Sequence, residues 1–75
     1  LLERLHPVLL HDQAWAVGHR VRDLALGEVR IKAINRGERS LDPRRELVLA
    51  AGDTLVLFGT AVAMEQAEQR LLEGR

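Results

Sequence analysis

The stretch AAGDTLVLFG, residues 50–59, limits the fold of this 75-residue chain more than any other stretch does. A Gly-Asp pair precedes the run TLVLF, and a second glycine follows it. A short run that is apolar on both faces is typical of a strand buried in the middle of a sheet. The stretch therefore predicts a turn in which Gly52 supplies backbone freedom and Asp53 accepts hydrogen bonds from backbone N–H groups. Leu55–Phe58 is the predicted central strand.

The end of the chain, TAVAMEQAEQRLLEGR, predicts the clearest helix. Its apolar residues recur at helical spacing and form one face. The residues of this face are Met64, Ala67 and Leu71. Thr60 suits the N-cap position and Gly74 suits the helix end.

Two earlier segments give weaker patterns. Val21, Leu24 and Ala25 fall at helical spacing before Gly27, which predicts a short helix. Nearer the start, a helical tail leads into a strand candidate at residues 8–11, with a proline just before it.

The segment EVRIKAINRGERSLDP, residues 28–43, predicts a hairpin. Apolar and basic residues alternate along its first half, and Gly37 supplies a turn before a short return strand. The element order is then β-α-β-β-β-α. This order predicts one small α+β domain over residues 1–75, with an antiparallel or mixed sheet and two helices packed on it.

Charge and length restrict the classes of function. The chain has 11 basic and 11 acidic residues, mixed along its length, which argues against a nucleic-acid surface. It has no cysteine, so neither disulfides nor a thiolate zinc site can stabilise it. A domain of this size buries only about 60% of its unfolded surface, so stabilisation by a partner chain is plausible.

No set of residues predicts catalysis or a metal centre. His6 and His11 stand five apart, and such positions point to opposite faces of a strand, so we expect no metal site there. The serine and the two threonines lack a Gly-x-Ser-x-Gly setting. We expect the domain not to be an enzyme.

The best candidates for binding a ligand are the cations of the predicted hairpin. Arg30 and Lys32 project from the same face of a strand, and arginine suits phosphate or carboxylate. Arg36 and Arg39 lie further along. The alternative is a solvated strand face whose charge is offset by neighbouring glutamates, and the sequence favours it.

Taken in order, four stretches resemble the C-terminal domain of the regulators of potassium conductance, the TrkA-C or RCK-C domain. They are AWAVGHRVRDLAL, VRIKAINRGE, LVLAAGDTLVLFG and AMEQAEQRLLE. Their order and spacing carry the resemblance, which covers nearly the whole chain.

The resemblance implies a regulatory domain on the cytoplasmic side of the cell membrane, forming a homodimer. It implies a host that transports potassium or another monovalent cation, which we expect to be a cation–proton antiporter. A Rossmann-type nucleotide-binding domain, a transmembrane transporter domain or both would accompany it, and Leu1 in place of methionine agrees with a piece of a longer protein.

The same resemblance implies no built-in cofactor, but a regulatory nucleotide such as cyclic di-AMP, or a metal ion, in some members. The region that corresponds to the ligand-binding part of those members is Val29 to Arg36, where Asn35 and Arg36 are candidate contacts in addition to Arg30 and Lys32. Two other functions stay open at this point. They are a purely structural dimerisation domain and a ligand-sensing module of a transcription regulator.

Overall fold

A computed structural model describes residues 2–75 as an antiparallel sheet carrying one α-helix. The strands are β1 (Glu3–Leu9), β2 (Arg30–Arg36), β3 (Arg39–Leu41) and β4 (Thr54–Thr60), followed by α1 (Ala61–Glu73). The strand order is β1-β4-β2-β3, so β4 lies between β1 and β2. The α+β class and the internal position of the TLVLF strand are confirmed, and every strand pair is antiparallel.

The predicted second helix is wrong, and the described residues contain one α-helix instead of two. Val21–Asp23 form only a single 3-10 turn. The first two N–H groups of this turn donate to the carbonyl oxygens of Leu47 and Arg45, so the backbone pairs with a distant loop. Ala25 then has a φ of 54°, which ends any right-handed helix. The apolar spacing nevertheless identified a core residue correctly, since Leu24 is buried.

The last helix is confirmed with its predicted caps. Thr60 Oγ1 accepts a hydrogen bond from the N–H of Ala63 at 3.2 Å, and Gly74 has a φ of 79°. The buried face consists of Met64, Ala67 and Leu71. Because these side chains cover one face of the sheet, α1 and the sheet share a single core.

The predicted helical tail at the start is wrong, since residues 3–9 form the edge strand β1. Its register pairs Leu5 with Phe58 and Val8 with Leu55 on β4. Pairing with a buried apolar strand outweighs the weak local preference for a helix. Pro7 is tolerated within β1 because an edge strand leaves one side unpaired.

The sheet has an inner face under α1 and an outer face turned away from it. The inner face carries buried residues from three strands, namely Val8, Ile34, Leu55 and Leu57. A register shift between Ile31 and Ala33 puts an extra residue into β2. This bulge explains why the alternation breaks at Ile34, since Ile31 and Ile34 both pair with inner-face residues of β4.

Candidate functional site

Three of the four predicted ligand contacts lie on the outer face of the sheet. Arg30 pairs with Phe58 of β4, and Asn35 pairs with Thr54. Lys32 occupies the bulge between them. All three of the predicted residues are exposed.

The two cations of this face converge on one aromatic ring. The Arg30 Cζ lies 5.6 Å from the centroid of the Phe58 ring, and the Lys32 Nζ lies 5.9 Å from it. Each such contact contributes about 0.5–1 kcal/mol at an exposed site. Both cations therefore lie on one side of the sheet, where they form a small positive surface beside the Phe58 ring. Asn35 lies further along β2, opposite Thr54.

This arrangement suits the binding of an anionic group. Arginine and lysine bind phosphate or carboxylate groups, and a carboxamide both donates and accepts hydrogen bonds. Within residues 2–75, no group of three or more histidine, aspartate or glutamate side chains could hold a metal ion. Of the histidines considered earlier, His6 pairs with Glu68 on α1: the Glu68 Oε1 lies 2.9 Å from the His6 Nε2, and the carboxylate is the acceptor.

Arg36, the fourth predicted contact, lies apart from the other three. Its Nε and Nη2 donate to the two carboxylate oxygens of Asp53, each at 2.8 Å. Nη2 also donates to the carbonyl oxygen of Val48 at 3.0 Å. The Arg36 side chain is 40% exposed, whereas that of Asp53 is fully buried. The structure therefore joins Arg36 to the Gly52–Asp53 turn.

The carboxylate of Asp53 is held by three hydrogen bonds. Besides the two from Arg36, Oδ2 accepts one from the N–H of Ala50 at 2.9 Å. Burial alone would raise the pKa of Asp53, but the hydrogen bonds from Arg36 and Ala50, together with the positive charge of Arg36, lower it below its ordinary value. The same contact with Asp53 raises the pKa of Arg36. Asp53 is therefore a charged anchor inside the fold.

Acid should weaken this anchor. A carboxyl whose pKa is lower in the folded chain stabilises the fold above its unfolded pKa, about 3.9, and loses that effect as pH falls. We expect wild type to be more stable than Asp53→Asn at neutral pH, and the difference to shrink as pH falls below about 4. Urea unfolding followed by circular dichroism between pH 7 and pH 2 measures this.

The exposed Asp12 provides the control for that experiment. Asp12→Asn should follow the wild-type curve across the whole pH range. If the free energies of unfolding of wild type and Asp53→Asn differed by the same amount at every pH, including pH 2, the assignment of Asp53 as an ionised anchor would be contradicted.

The sequence predicted the turn at Asp53 but missed its partner. A buried aspartate needs a counter-charge or several donors, so its burial in an apolar stretch does signal a cation nearby. Eleven basic residues are candidates, and none is marked by spacing. Only the pairing of β2 with β4 brings the guanidinium of Arg36 to this carboxylate.

Two grooves of the domain lie away from the outer face. One, of about 420 Å³, is lined by the 41–48 loop, including Leu41 and Val48. Another, of about 470 Å³, lies beside the start of α1, between Gly27 and Val62. Neither is lined by the three predicted contacts of the outer face. A ligand bound by those three residues would rest on a surface instead of entering a cavity.

No helix among residues 2–75 is long and apolar enough to cross a membrane.

Comparison with known proteins gives one family and a set of similar structures. The family model described as the TrkA-C domain matches residues 5–72. One similar solved structure is described as an RCK domain with cda. It has a TM-score of 0.77 and 20% sequence identity, and the alignment covers 89% of this chain and 96% of that one. None of the curated proteins matches the chain.

Proposed function

Since the chain belongs to the TrkA-C domain family, whose members are regulatory domains associated with potassium transport, we propose that it senses a ligand for a monovalent-cation transporter. In this proposal the transporter is a cation–proton antiporter and the domain works on the cytoplasmic side of the membrane as a homodimer. A Rossmann-type domain, a transmembrane domain or both would accompany it in the same protein.

The observation that carries the proposal is the family match over residues 5–72. The outer face supports the choice of ligand class, because Arg30 and Lys32 present two cations beside the Phe58 ring and Asn35 adds hydrogen-bonding capacity. Such a surface suits an anionic ligand that also has a planar part, as a nucleotide does. A cyclic dinucleotide such as cyclic di-AMP is our first choice, and the similar structure with cda agrees with it.

The mechanism needs no bond chemistry. A ligand that binds one arrangement of the dimer more tightly than another shifts the population toward that arrangement. A transport domain that also distinguishes the two arrangements then responds to the ligand, and the coupling is reciprocal. The domain thus uses the difference in ligand affinity between two dimer arrangements to change their relative populations.

Ligand binding should appear as thermal stabilisation. A ligand at a hundredfold excess over its Kd adds about 2.7 kcal/mol, which raises the Tm of a domain this small by on the order of 10 °C. We expect a saturable rise with cyclic di-AMP, tested beside other nucleotides and divalent cations. Arg30→Ala combined with Lys32→Ala should abolish the rise. Both side chains are exposed, so the ligand-free domain should lose only the two cation–π contacts with Phe58, about 1–2 kcal/mol together.

Arg39→Ala is the matched control, since Arg39 is an exposed arginine of the neighbouring strand β3. It should leave the ligand-induced rise intact. If no nucleotide, cyclic dinucleotide or divalent cation raises the Tm, ligand sensing is ruled out and the purely structural dimerisation domain becomes the better proposal. The outer face also favours that second proposal, because it exposes several apolar side chains.

A further inference from the structure

A cleft between the edge strand β1 and the helix α1 brings side chains of both charge signs together. We call it the β1–α1 cleft, and its volume is about 230 Å³. Alternate residues of a strand share one face, and residues three apart on a helix share one side, so each wall contributes two ionisable side chains. The lining residues are Arg4 and His6 from β1, with Ala61, Met64, Glu65 and Glu68 from α1.

Two of these ionisable side chains contact each other across the cleft, and the other two do not. The His6 Nε2 lies 2.9 Å from the Glu68 Oε1, which joins the two walls at one point. Arg4 and Glu65 are both exposed, and within residues 2–75 neither forms an ion pair. An unpaired cation and an unpaired anion therefore line the same cleft. A ligand that carries one charge of each sign satisfies both of them at once.

The size of the cleft restricts the class of ligand. At about 30 Å³ for each water molecule of the liquid, the cleft has the volume of about eight waters. Sites for drug-sized ligands usually have about 300–1,000 Å³, so a cyclic dinucleotide is too large for this cleft. Ala61 and the buried Met64 give the cleft an apolar part, which suits a short aliphatic chain.

We propose that the β1–α1 cleft binds a small zwitterion, a molecule in which a short aliphatic chain separates a carboxylate from an ammonium group. The ligand carboxylate accepts hydrogen bonds from the guanidinium of Arg4, and the ligand ammonium donates to the carboxylate of Glu65. The cleft lies on the α1 side of the sheet, whereas Arg30 and Lys32 lie on the outer face. The two ligands therefore bind independently, and either proposal can fail alone.

An NMR titration of the isotope-labelled chain tests this proposal with amino acids of increasing length, namely glycine, β-alanine, γ-aminobutyrate and ε-aminocaproate. Amide signals of the cleft residues should shift saturably, with a Kd of about 1–10 mM for the length that fits best. Acetate and methylammonium each carry one of the two charges and should bind about 10-fold more weakly or less. NMR is chosen over Tm because excluded osmolytes raise Tm without binding.

Substitutions at the two unpaired charges should weaken binding and leave the fold intact. Arg4→Gln and Glu65→Gln should each raise the Kd by about 10-fold or more. Both side chains are exposed, so each variant should keep the wild-type circular dichroism spectrum. The double exchange of Arg4→Glu with Glu65→Arg should restore binding, because the zwitterion can bind in the reverse direction. A purely structural role for these residues predicts no such restoration.

Arg39→Gln and Glu73→Gln are the matched controls, since both residues are exposed and neither lines the cleft. Their Kd should stay within about twofold of wild type. Signals that show no saturable shift up to about 100 mM with any of the four amino acids would overturn the proposal. It would also be overturned by an equal Kd for acetate, or by an unchanged Kd in both Arg4→Gln and Glu65→Gln.

Discussion

Replacing Arg36 by methionine should destabilise the domain by up to about 3–5 kcal/mol, the cost of leaving a buried charge without its partner. The loss is large because Asp53 is fully buried and would keep only the hydrogen bond from the N–H of Ala50. A domain of this length has a total stability of about 4–11 kcal/mol, so the variant would be close to unfolding. Asp53→Asn should cost less, since the half-exposed Arg36 can be hydrated by water.

The pH dependence of Arg36→Met should be opposite to that of wild type. Without the arginine, burial dominates and raises the pKa of Asp53 above its unfolded value. A group with a raised pKa penalises folding as pH rises above the unfolded pKa, about 3.9. The difference in the free energy of unfolding between Arg36→Met and wild type should therefore be largest at neutral pH and should decrease on acidification. Urea unfolding at pH 7 and pH 3 measures both quantities.

Arg39→Met is the control, because Arg39 is exposed and directly opposite Arg36 in the hairpin. It should change the free energy of unfolding by no more than about 0.5 kcal/mol. A similarly small change in Arg36→Met would show that the ion pair adds little to the fold and that Arg36 is free for another role.

Replacing Gly52 by valine should destabilise the domain by about 1–3 kcal/mol, toward the upper end of that range because valine is β-branched. Gly52 has a φ of 90°, which side chains with a Cβ rarely adopt. The surroundings are not the cause, since a Cβ built there would meet no atom within 4 Å. The cost is thus one of backbone conformation alone.

Gly52→Asn separates this cause from a general intolerance of side chains. Asparagine tolerates positive φ, so we expect it to cost clearly less than valine does in the same thermal or urea unfolding experiment. Equal losses for asparagine and valine would contradict the conformational explanation and would indicate that the space beside the turn is needed.

Some of the fold could be predicted because local chemistry determines it. The central strand follows from an apolar run between turns, and α1 follows from Thr60, Gly74 and a clear apolar face. The second helix could not be predicted correctly, because the N–H groups at its start bond to a loop more than twenty residues away. Local spacing marks Leu24 as buried but carries no information on that pairing.

The candidate site also has one feature that the sequence predicted and one that it could not predict. Alternation along β2 predicted that Arg30 and Lys32 project together, and they do so even though a bulge intervenes. The same alternation could not reveal that Arg36 is bound to Asp53, since that contact depends on the register between β2 and β4. The role of Arg30, Lys32, Asn35 and Arg36 in binding a ligand remains a prediction.

The strand order also has a consequence for how the chain folds. Among the strands of residues 2–75, β4 alone pairs with β1, and β4 follows most of the chain, since Glu3 pairs with Thr60. β1 can therefore pair only after the chain has closed a long loop, and such non-local pairing is slow. Until β1 and β4 pair, the apolar side chains of β1 are exposed and can contact strands of other molecules. Pro7, which interrupts the donors on its outer edge, is then a safeguard against aggregation while the domain folds.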